Sequence, residues 1–310
     1  MQIEKINLSE KPDPSLERLV GDSFFASAGF LKLWDSFGGN AVYWCARFEG
    51  TIIAVLPGVE FGSAPIKRFQ ANPDGCYSRF FIDEAHAAFS EEIVRLIVEA
   101  IARAGYTRSH IFDYYKQIPL PVKNYRLHDC RTNLIDVSAP DWLPPDKKIQ
   151  SELRKGEREE VAFRPFDPTT DFEKFMVLMK ATEERHNRPP RYSKTFYKKL
   201  AELAKNDKRI VWLWCEHEQK AVTTHINFIE NDMLLNWQVF YDKDFSYLKA
   251  NQQILYYLGT NFNQTGVTQL NLGASPEEAS GLRKYKSKWG GKSYFYPCFS
   301  HKSWLGKFLG

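Results

Sequence analysis

The sequence predicts an α/β fold of the α+β type, in which mixed β-sheets are flanked by helices. In the second half, three consecutive strand patterns precede an amphipathic helix and a closing strand–helix–strand pattern. In the first half, a strand hairpin pattern precedes an amphipathic helix and two further strands. A proline-rich segment at 139–145 separates the halves, so we expect an N-terminal module at 1–140 and a C-terminal module at 141–310.

The first module alternates strand and helix patterns. Glu49-Gly50 is a hairpin-like turn between two strands. Ser90 is a good N-cap for a helix with an isoleucine-rich face, and Gly105 ends that pattern. The predicted helices are 27–37 and 90–105, and the predicted strands are 41–48, 51–60, 109–114 and 131–137.

The second module begins with a basic helix at 146–160. The elements that follow are a strand at 162–166, helices beginning near Phe172 and Ser193, strands at 209–216, 221–230 and 233–241, a helix at 247–262, a strand at 267–272, a short helix ending at Gly290, and a strand at 293–299. An antiparallel meander followed by a strand–helix–strand unit gives a mixed sheet with helices on both faces.

The composition excludes several classes of protein. The net charge of +4 is too small to indicate a DNA-binding protein, although it permits contact with phosphate-bearing substrates. The five cysteines are scattered and form no C-x-x-C or Cys/His cluster, so neither a metal site nor a disulfide framework is expected. The sequence shows no signal-peptide pattern and no transmembrane segment, so the expected location is the cytoplasm.

The central hairpin brings polar side chains together. A two-residue turn at 231–232 sets the register of its two strands. The expected pairs are Glu230 with Met233, Asn227 with Asn236, and His225 with Gln238. Side chains two residues apart in a strand share one face, so four polar side chains are expected on the same side of the sheet: His225, Asn227, Asn236 and Gln238. Two interpretations are open: these groups satisfy one another, or they line a polar cleft in which His225 acts as a general base and the amides orient the substrate.

A short basic helix closes the second module. Leu282, Tyr285 and Trp289 lie on one helical face, and Lys286 lies beside that face, where its amine is expected to project over a cleft. A solvated amphipathic helix is the alternative. The whole stretch, LNLGASPEEASGLRKYKSKWGG, resembles the closing motif of the Fem-type transferases and their cellulose-biosynthesis acetyltransferase-like relatives, which belong to the GNAT-like acyltransferase superfamily.

Two further blocks carry the same resemblance, which covers roughly residues 25 to 300. LRKGEREEV at 153–161 is similar to a basic helix of that family, and RHNRPPRYS at 185–193 is similar to a segment that borders its acceptor cleft. The resemblance implies tandem GNAT-like modules, each a mixed sheet flanked by helices. It also implies that Lys286 lies in the acceptor or donor cleft, and we take Tyr285 with it as a candidate catalytic residue.

Arginines supply the candidate substrate-binding residues. A guanidinium recognises carboxylate and phosphate in a bidentate manner, and prolines stiffen the segment that carries three of these arginines. The candidates are Arg185, Arg188, Arg191 and Tyr192 in this segment, and Arg154 and Lys155 on the basic helix. A solvated connection and a salt-bridged surface helix are the alternatives.

The expected cofactor segment departs from the GNAT pattern. Acetyl-CoA enzymes carry a glycine-rich loop before a helix, where backbone amides bind the pyrophosphate. The matching segment here runs from Tyr241 to Asn251, contains no glycine, and carries Asp242 and Asp244, which repel phosphate. Tyr241 and Asn251 remain the candidate cofactor-binding residues. The donor is therefore acetyl-CoA or another acyl-CoA bound in an unusual way, or an aminoacyl-tRNA as in the Fem-type proteins.

The sequence and the resemblance together lead to an expected function. The protein is expected to be an N-acyltransferase that transfers an acyl or aminoacyl group to an amine on a small-molecule or lipid-linked glycan or peptide precursor of the cell envelope. Lys286 is expected to stabilise the oxyanion. A conventional acetyl-CoA-dependent N-acetyltransferase and a non-catalytic module that binds an anionic glycan or a lipid-linked precursor are the alternatives.

Overall fold

The computed structural model describes residues 1–8, 14–73, 75–159, 161–275 and 278–308. The chain forms two compact units. Unit 1 contains Met1–Cys130 and Phe295–Gly310, and unit 2 contains Arg131–Tyr294. The division into sequence modules at 1–140 and 141–310 stays a prediction. Among the described residues, none of the helices has the length and apolar character required to span a bilayer.

Each predicted helix and strand has a counterpart in the structure. The first part contains β1 (Gln2–Asn7), α1 (Pro14–Val20), α2 (Ala28–Lys32), β2 (Gly39–Phe48), β3 (Thr51–Phe61), β4 (Arg68–Ala71), β5 (Phe81–Ile82), α3 (Ser90–Arg103), β6 (Arg108–Phe112) and β7 (Arg126–Asp136). The second part contains α4 (Lys147–Arg158), β8 (Phe163–Pro165), α5 (Phe172–Arg185), α6 (Lys194–Asn206), β9 (Ile210–His217), β10 (Lys220–Glu230), β11 (Met233–Tyr241), α7 (Ala250–Asn261), β12 (Gln269–Asn271), α8 (Ser280–Lys288), β13 (Lys292–Lys302) and α9 (Trp304–Phe308). Of these elements, β1, α1, β4, β5 and α9 were not predicted.

In unit 1 the strands lie in the order β1-β2-β3-β4-β6-β13, and β5 pairs with β3. The β4–β6 pairing is parallel, whereas β6 pairs with β13 in the antiparallel direction, so the sheet is mixed. The predicted turn between β2 and β3 is present, and both Glu49 and Gly50 adopt positive φ. The N-cap prediction was wrong: a 3-10 helix, Glu84–Phe89, leads directly into α3, so Ser90 is the first residue of that helix and Phe89 takes the cap position.

In unit 2 the strands lie in the order β7-β12-β11-β10-β9-β8. The β11–β12 pairing is parallel and the other pairings are antiparallel, which confirms the predicted mixed sheet. Phe175 of α5 packs against Trp212 of β9 and Phe240 of β11, with ring centroids 5.0 and 5.7 Å apart. On the other face, Ile254 of α7 and Leu153 of α4 belong to a second apolar cluster.

The central hairpin follows the predicted register only near its turn. Asn231 has φ 53°, as a two-residue turn requires, and Glu230 pairs with Met233. Asn227 then pairs with Asn236, as predicted.

Beyond that pair the predicted register was wrong. A β-bulge shifts the pairing between Ile226 and Asn227, so that His225 lies opposite Val239 and Gln238 lies opposite Ile226. The extra residue of β11 is Trp237. Because one additional residue exchanges the two faces of a strand, Gln238 leaves the face that carries His225.

The strand β11 separates from β12 at its midpoint. The two strands pair only where Met233–Leu235 of β11 meets Gln269–Asn271 of β12. From Asn236 to Tyr241, β11 continues with β10 as its neighbour on one side. This divergence exposes one edge of β11 and positions the site.

Candidate active site

A cleft of about 770 Å³ lies along the exposed edge of β11 in unit 2. Its lining comes from β11, from the start of α7, from α8 and from the segment before α6. Among the described lining residues, the cations are Arg188, Arg191, Lys249 and Lys286, and the anions are Glu183 and Asp242. The excess of cations favours an anionic ligand.

The backbone of β11 presents hydrogen-bonding groups to this cleft. The Asp242 amide donates to the Val222 carbonyl of β10 at 2.9 Å. Near the end of β11, the backbone N–H and C=O groups of even-numbered residues therefore point toward β10. Val239 and Tyr241 therefore direct their backbone groups to the opposite edge. There the Tyr241 amide donates to Thr182 Oγ1 at 3.1 Å, and its carbonyl accepts from Arg185 Nη1 at 3.0 Å. The Val239 amide is thus a backbone donor directed toward the cleft.

His225 lines the cleft, but its ring is held in a hydrogen-bond network. Asn236 Nδ2 lies 3.2 Å from His225 Nδ1 and donates to it, which places the ring proton on Nε2. That proton is donated to Asn251 Oδ1 on α7, at 3.1 Å, and Thr223 Oγ1 donates to the same oxygen at 2.5 Å. Burial lowers the pKa of His225 to about 4, so the ring is neutral near pH 7. A neutral imidazole with both nitrogens engaged positions its neighbours.

The other predicted polar residues separate into two groups. Asn236 Nδ2 also donates to Asn227 Oδ1 at 2.7 Å, and the fully buried Asn227 donates to the Val211 carbonyl at 2.8 Å. Gln238 instead accepts from the Tyr197 hydroxyl of α6 at 2.8 Å. Asn236 and Gln238 line the cleft, whereas Asn227 joins two strands of the sheet.

Lys286 and Tyr285 of α8 both line the cleft. Lys286 is 5% exposed, and its Nζ donates to the carbonyls of Gly273 and Ala274 at 2.9 and 2.7 Å. Burial lowers the pKa of Lys286 to about 8 and raises the pKa of the half-buried Tyr285 to about 12. The amine was expected to project over a cleft, which Lys286 does line. The amine itself is anchored to the loop after β12, because that loop directs two carbonyls toward it.

The segment before α6 places two arginines at the cleft. Arg188 forms a bidentate ion pair with Glu183, whose carboxylate is buried. Arg191 also lines the cleft. Arg185 stacks its guanidinium on the Tyr241 ring at 4.1 Å and does not line the cleft. Arg188 and Arg191 therefore remain candidates for binding an anionic substrate.

Besides Asn227 and Arg185, three more of the predicted substrate-binding residues lie away from the cleft lining. Tyr192 is 3% exposed and stacks on Phe196 at 4.5 Å, within an aromatic cluster. Arg154 is exposed on α4 and Lys155 is half-buried there. Neither contributes to the cleft lining, which matches the interpretation of α4 as a surface helix.

The segment from Tyr241 to Asn251 does not fit the pyrophosphate of coenzyme A in the usual manner. It forms a 3-10 helix, Lys243–Leu248, and a left-handed residue, Lys249, before α7. Asp242 lines the cleft at this point, where its carboxylate accepts from the Asp244 amide at 3.0 Å and opposes a phosphate. The Asn251 amide oxygen is already engaged by His225 and Thr223. Among the described residues, no group of three His, Cys, Asp or Glu side chains is arranged to hold a metal ion.

Sequence reasoning missed Glu183 and Val239. Glu183 is four residues before Asn187, which has a positive φ, and five residues before Arg188, so an acidic–basic pair near a helix end was its signal. Val239 carried no signal, because its contribution is a backbone amide exposed by the divergence of two strands.

Comparison with known proteins indicates the class of protein to which this fold and cleft correspond. Residues 146–287 match the family model described as an acetyltransferase (GNAT) domain. The fold is similar to a structure described as FemX, with a TM-score of 0.74, 10% identity, and coverage of 100% of this chain and 99% of that chain. No curated protein matches the sequence.

Two other solved structures have a similar fold. One is the C-terminal domain of a putative lysylphosphatidylglycerol synthetase from Agrobacterium fabrum, with a TM-score of 0.59, 13% identity, and coverage of 95% of this chain and 94% of that chain. The other is a tandem GNAT protein from the clavulanic acid biosynthesis pathway, with a TM-score of 0.51, 8% identity, and coverage of 97% and 98%.

The domain match over residues 146–287 and the shared fold together support the class of GNAT-like acyltransferases. The fold of the chain is the two-module form shared with FemX and with the tandem GNAT protein.

Proposed function

We propose that the protein transfers an acyl or aminoacyl group to an amine of a cell-envelope precursor. The observation that carries this proposal is the exposed edge of β11, which shares one cleft with Tyr285 and Lys286. The cationic lining of the cleft supports an acceptor that carries phosphate or carboxylate. A similar fold occurs in a domain of a putative lysylphosphatidylglycerol synthetase, whose name describes an aminoacyl-modified phospholipid.

The residues of the cleft suit the attack of an amine on an ester or thioester. The nucleophilic nitrogen forms a bond to the acyl carbon, and the carbonyl oxygen gains negative charge. The Val239 amide is directed toward the cleft to donate to that oxygen, and the ammonium of Lys286 adds positive charge nearby. A preorganised donor of this kind contributes about 3 kcal/mol to transition-state stabilisation.

Proton transfer is assigned to Tyr285. Because burial raises the pKa of its hydroxyl to about 12, this group keeps its proton and can donate it to the departing oxygen or sulfur. The carbon–oxygen or carbon–sulfur bond then breaks, and the proton released by the attacking nitrogen returns to the Tyr285 oxygen. His225 stays neutral and holds Asn236 and Asn251 in place.

The kind of acyl donor is inferred from the segment that precedes α7. Because the Asp242 carboxylate lines the cleft in this segment and would repel a phosphate, it favours an aminoacyl ester or another donor without a pyrophosphate at this point. A conventional acetyl-CoA-dependent N-acetyltransferase is the second candidate, favoured by the family-model match over 146–287. A non-catalytic module that binds an anionic lipid-linked or glycan precursor is the third.

A panel of ligands tests the proposal. The unfolding temperature of the purified protein is measured with CoA, with acetyl-CoA and with a nucleotide-sugar peptide, and transfer is then assayed with aminoacyl-tRNA as donor. Stabilisation by the precursor, together with aminoacyl transfer that falls about a hundredfold in Tyr285→Phe, supports the proposal. Stabilisation by CoA with acetyl transfer selects the second candidate. Stabilisation by the precursor without any turnover selects the third.

A further inference from the structure

Unit 1 carries a row of three cations across neighbouring strands. Arg68 of β4 pairs directly with Arg108 of β6, which pairs directly with Lys302 of β13. Adjacent strands are about 4.8 Å apart, so the three charges follow one another at close spacing. Like charges placed directly opposite one another destabilise a sheet. A row of this kind therefore favours an anionic partner.

The row has no counter-charge in the part of the chain that the structure describes. No described carboxylate forms an ion pair with Arg68, Arg108 or Lys302. The side chains of Arg68 and Lys302 are exposed, and Arg108 is half-buried. The positive charges also reach their neighbour His110, whose pKa is lowered first by burial and then by Arg108 and Lys302.

Exposed apolar side chains lie at the same end of the sheet. Trp304 is 76% exposed and Phe308 is 88% exposed on α9, which begins two residues after Lys302. Ile66 is 51% exposed and lies two residues before Arg68. Large apolar side chains rarely stay so exposed without a partner when they stand together.

Backbone contacts hold these groups in place. The Ser303 amide donates to the Thr107 carbonyl at 3.1 Å, and the Thr107 amide donates to the Lys67 carbonyl at 2.7 Å. Gly306 packs so closely that a Cβ atom there would lie 1.9 Å from the Thr107 oxygen. The helix α9, the segment that carries Ile66 and the cation row are therefore joined through residue 107.

We propose that this end of unit 1 binds the surface of an anionic phospholipid membrane. Lysine and arginine beside exposed tryptophan and phenylalanine form the combination that binds lipid interfaces, because the cations contact headgroups while the rings enter the apolar boundary. A nucleic acid would match the cations, but it offers no apolar phase to Ile66 and Phe308. The inference does not depend on the proposed function, since it concerns a different unit of the chain.

Vesicle co-sedimentation tests the proposal. The full chain is mixed with vesicles of equal parts phosphatidylglycerol and phosphatidylcholine, or of phosphatidylcholine alone, at low and high salt. The wild type is expected to bind the anionic vesicles, less at high salt, and to bind neutral vesicles weakly. The triple variant Arg68→Gln/Arg108→Gln/Lys302→Gln is expected to bind about a hundredfold more weakly, because each cation near an anionic surface contributes about fivefold.

Two further variants separate charge from apolar contact. The variant Trp304→Ser/Phe308→Ser should also lose affinity, but its remaining binding should keep the salt dependence of the wild type. The matched control Lys180→Gln/Lys199→Gln/Lys205→Gln removes three exposed cations of α5 and α6 and should bind as the wild type does. Thermal unfolding should show no destabilisation of the first triple variant, since its substitutions remove repulsion.

Three results would overturn the proposal. The first is a wild type that does not bind phosphatidylglycerol vesicles, and the second is an equal loss in the control triple variant. The third is a wild type that binds transfer RNA but no vesicles, together with loss of RNA binding in the variant Arg68→Gln/Arg108→Gln/Lys302→Gln. That result would make this end of unit 1 an RNA-binding surface.

Discussion

The substitution Lys286→Met should have a small effect on the free energy of unfolding at neutral pH and a larger effect on how that free energy changes with pH. Burial lowers the pKa of Lys286 from 10.5 to about 8 in the folded protein. Between these values the unfolded state binds more protons, so the free energy of unfolding rises with pH. A difference of this size corresponds to about 3 kcal/mol, which the wild type gains between pH 8 and 10.5 and which the variant lacks.

At neutral pH two effects of this substitution oppose each other. Removing the buried charge relieves its desolvation, while the carbonyls of Gly273 and Ala274 lose a donor, at about 1–3 kcal/mol each. These two changes should nearly cancel in the free energy of unfolding at neutral pH. Turnover should still fall on the order of a hundredfold, because the cleft loses a cation.

Urea unfolding at several pH values measures this effect directly. The difference in unfolding free energy between wild type and Lys286→Met should widen by about 3 kcal/mol from pH 7.5 to pH 10.5. Lys284→Met, an exposed lysine of the same helix, should reproduce the wild-type curve. A difference that stays constant across this range would show that Lys286 titrates as an exposed lysine, and the anchoring argument would then fail.

Three other substitutions test separate parts of the structure. Val239→Pro should remove a backbone donor that the sheet does not use and lower kcat by about a hundredfold or more, while Val239→Ala retains the amide and most of the activity. Arg188→Gln should lower the unfolding free energy by about 1–3 kcal/mol, measured by urea titration, because it leaves the buried Glu183 carboxylate without its ion pair, and unchanged stability would contradict this reasoning. Gly306→Ala should displace α9 from the Thr107 carbonyl and increase protease cleavage near the C-terminus, and a cleavage pattern equal to that of the wild type would disprove the close packing.

Local rules predicted the parts of the hairpin that local geometry determines. Asn231 accepts a positive φ, so the turn and the first pairs of the hairpin follow from the sequence. The bulge at Trp237 has a tertiary origin, because that ring packs against Tyr192 at 5.1 Å and Phe228 at 4.9 Å. Tyr192 is distant in sequence, so strand alternation alone did not reveal that β11 contains an additional residue.

The candidate site was predicted in part for the same reason. Helical periodicity put Tyr285 on the apolar face of α8 with Lys286 beside that face, and both residues line the cleft. The burial of Lys286 depends on carbonyls at 273 and 274, which a helix pattern does not specify. The cation row is harder still to predict, since it requires the register of three strands whose charged residues lie far apart in the sequence.

The return of the chain to unit 1 has a consequence for synthesis on the ribosome. The strand β6 is complete once residue 112 has emerged, but its neighbour β13 supplies Cys298–Lys302 only after unit 2 has been synthesised. Unit 2 is continuous from Arg131 to Tyr294, so all of its strands and helices are available earlier. During synthesis, the β6 edge of unit 1 therefore stays unpaired until β13 emerges. Unit 2 begins later in the chain than unit 1, but it can complete its folding first.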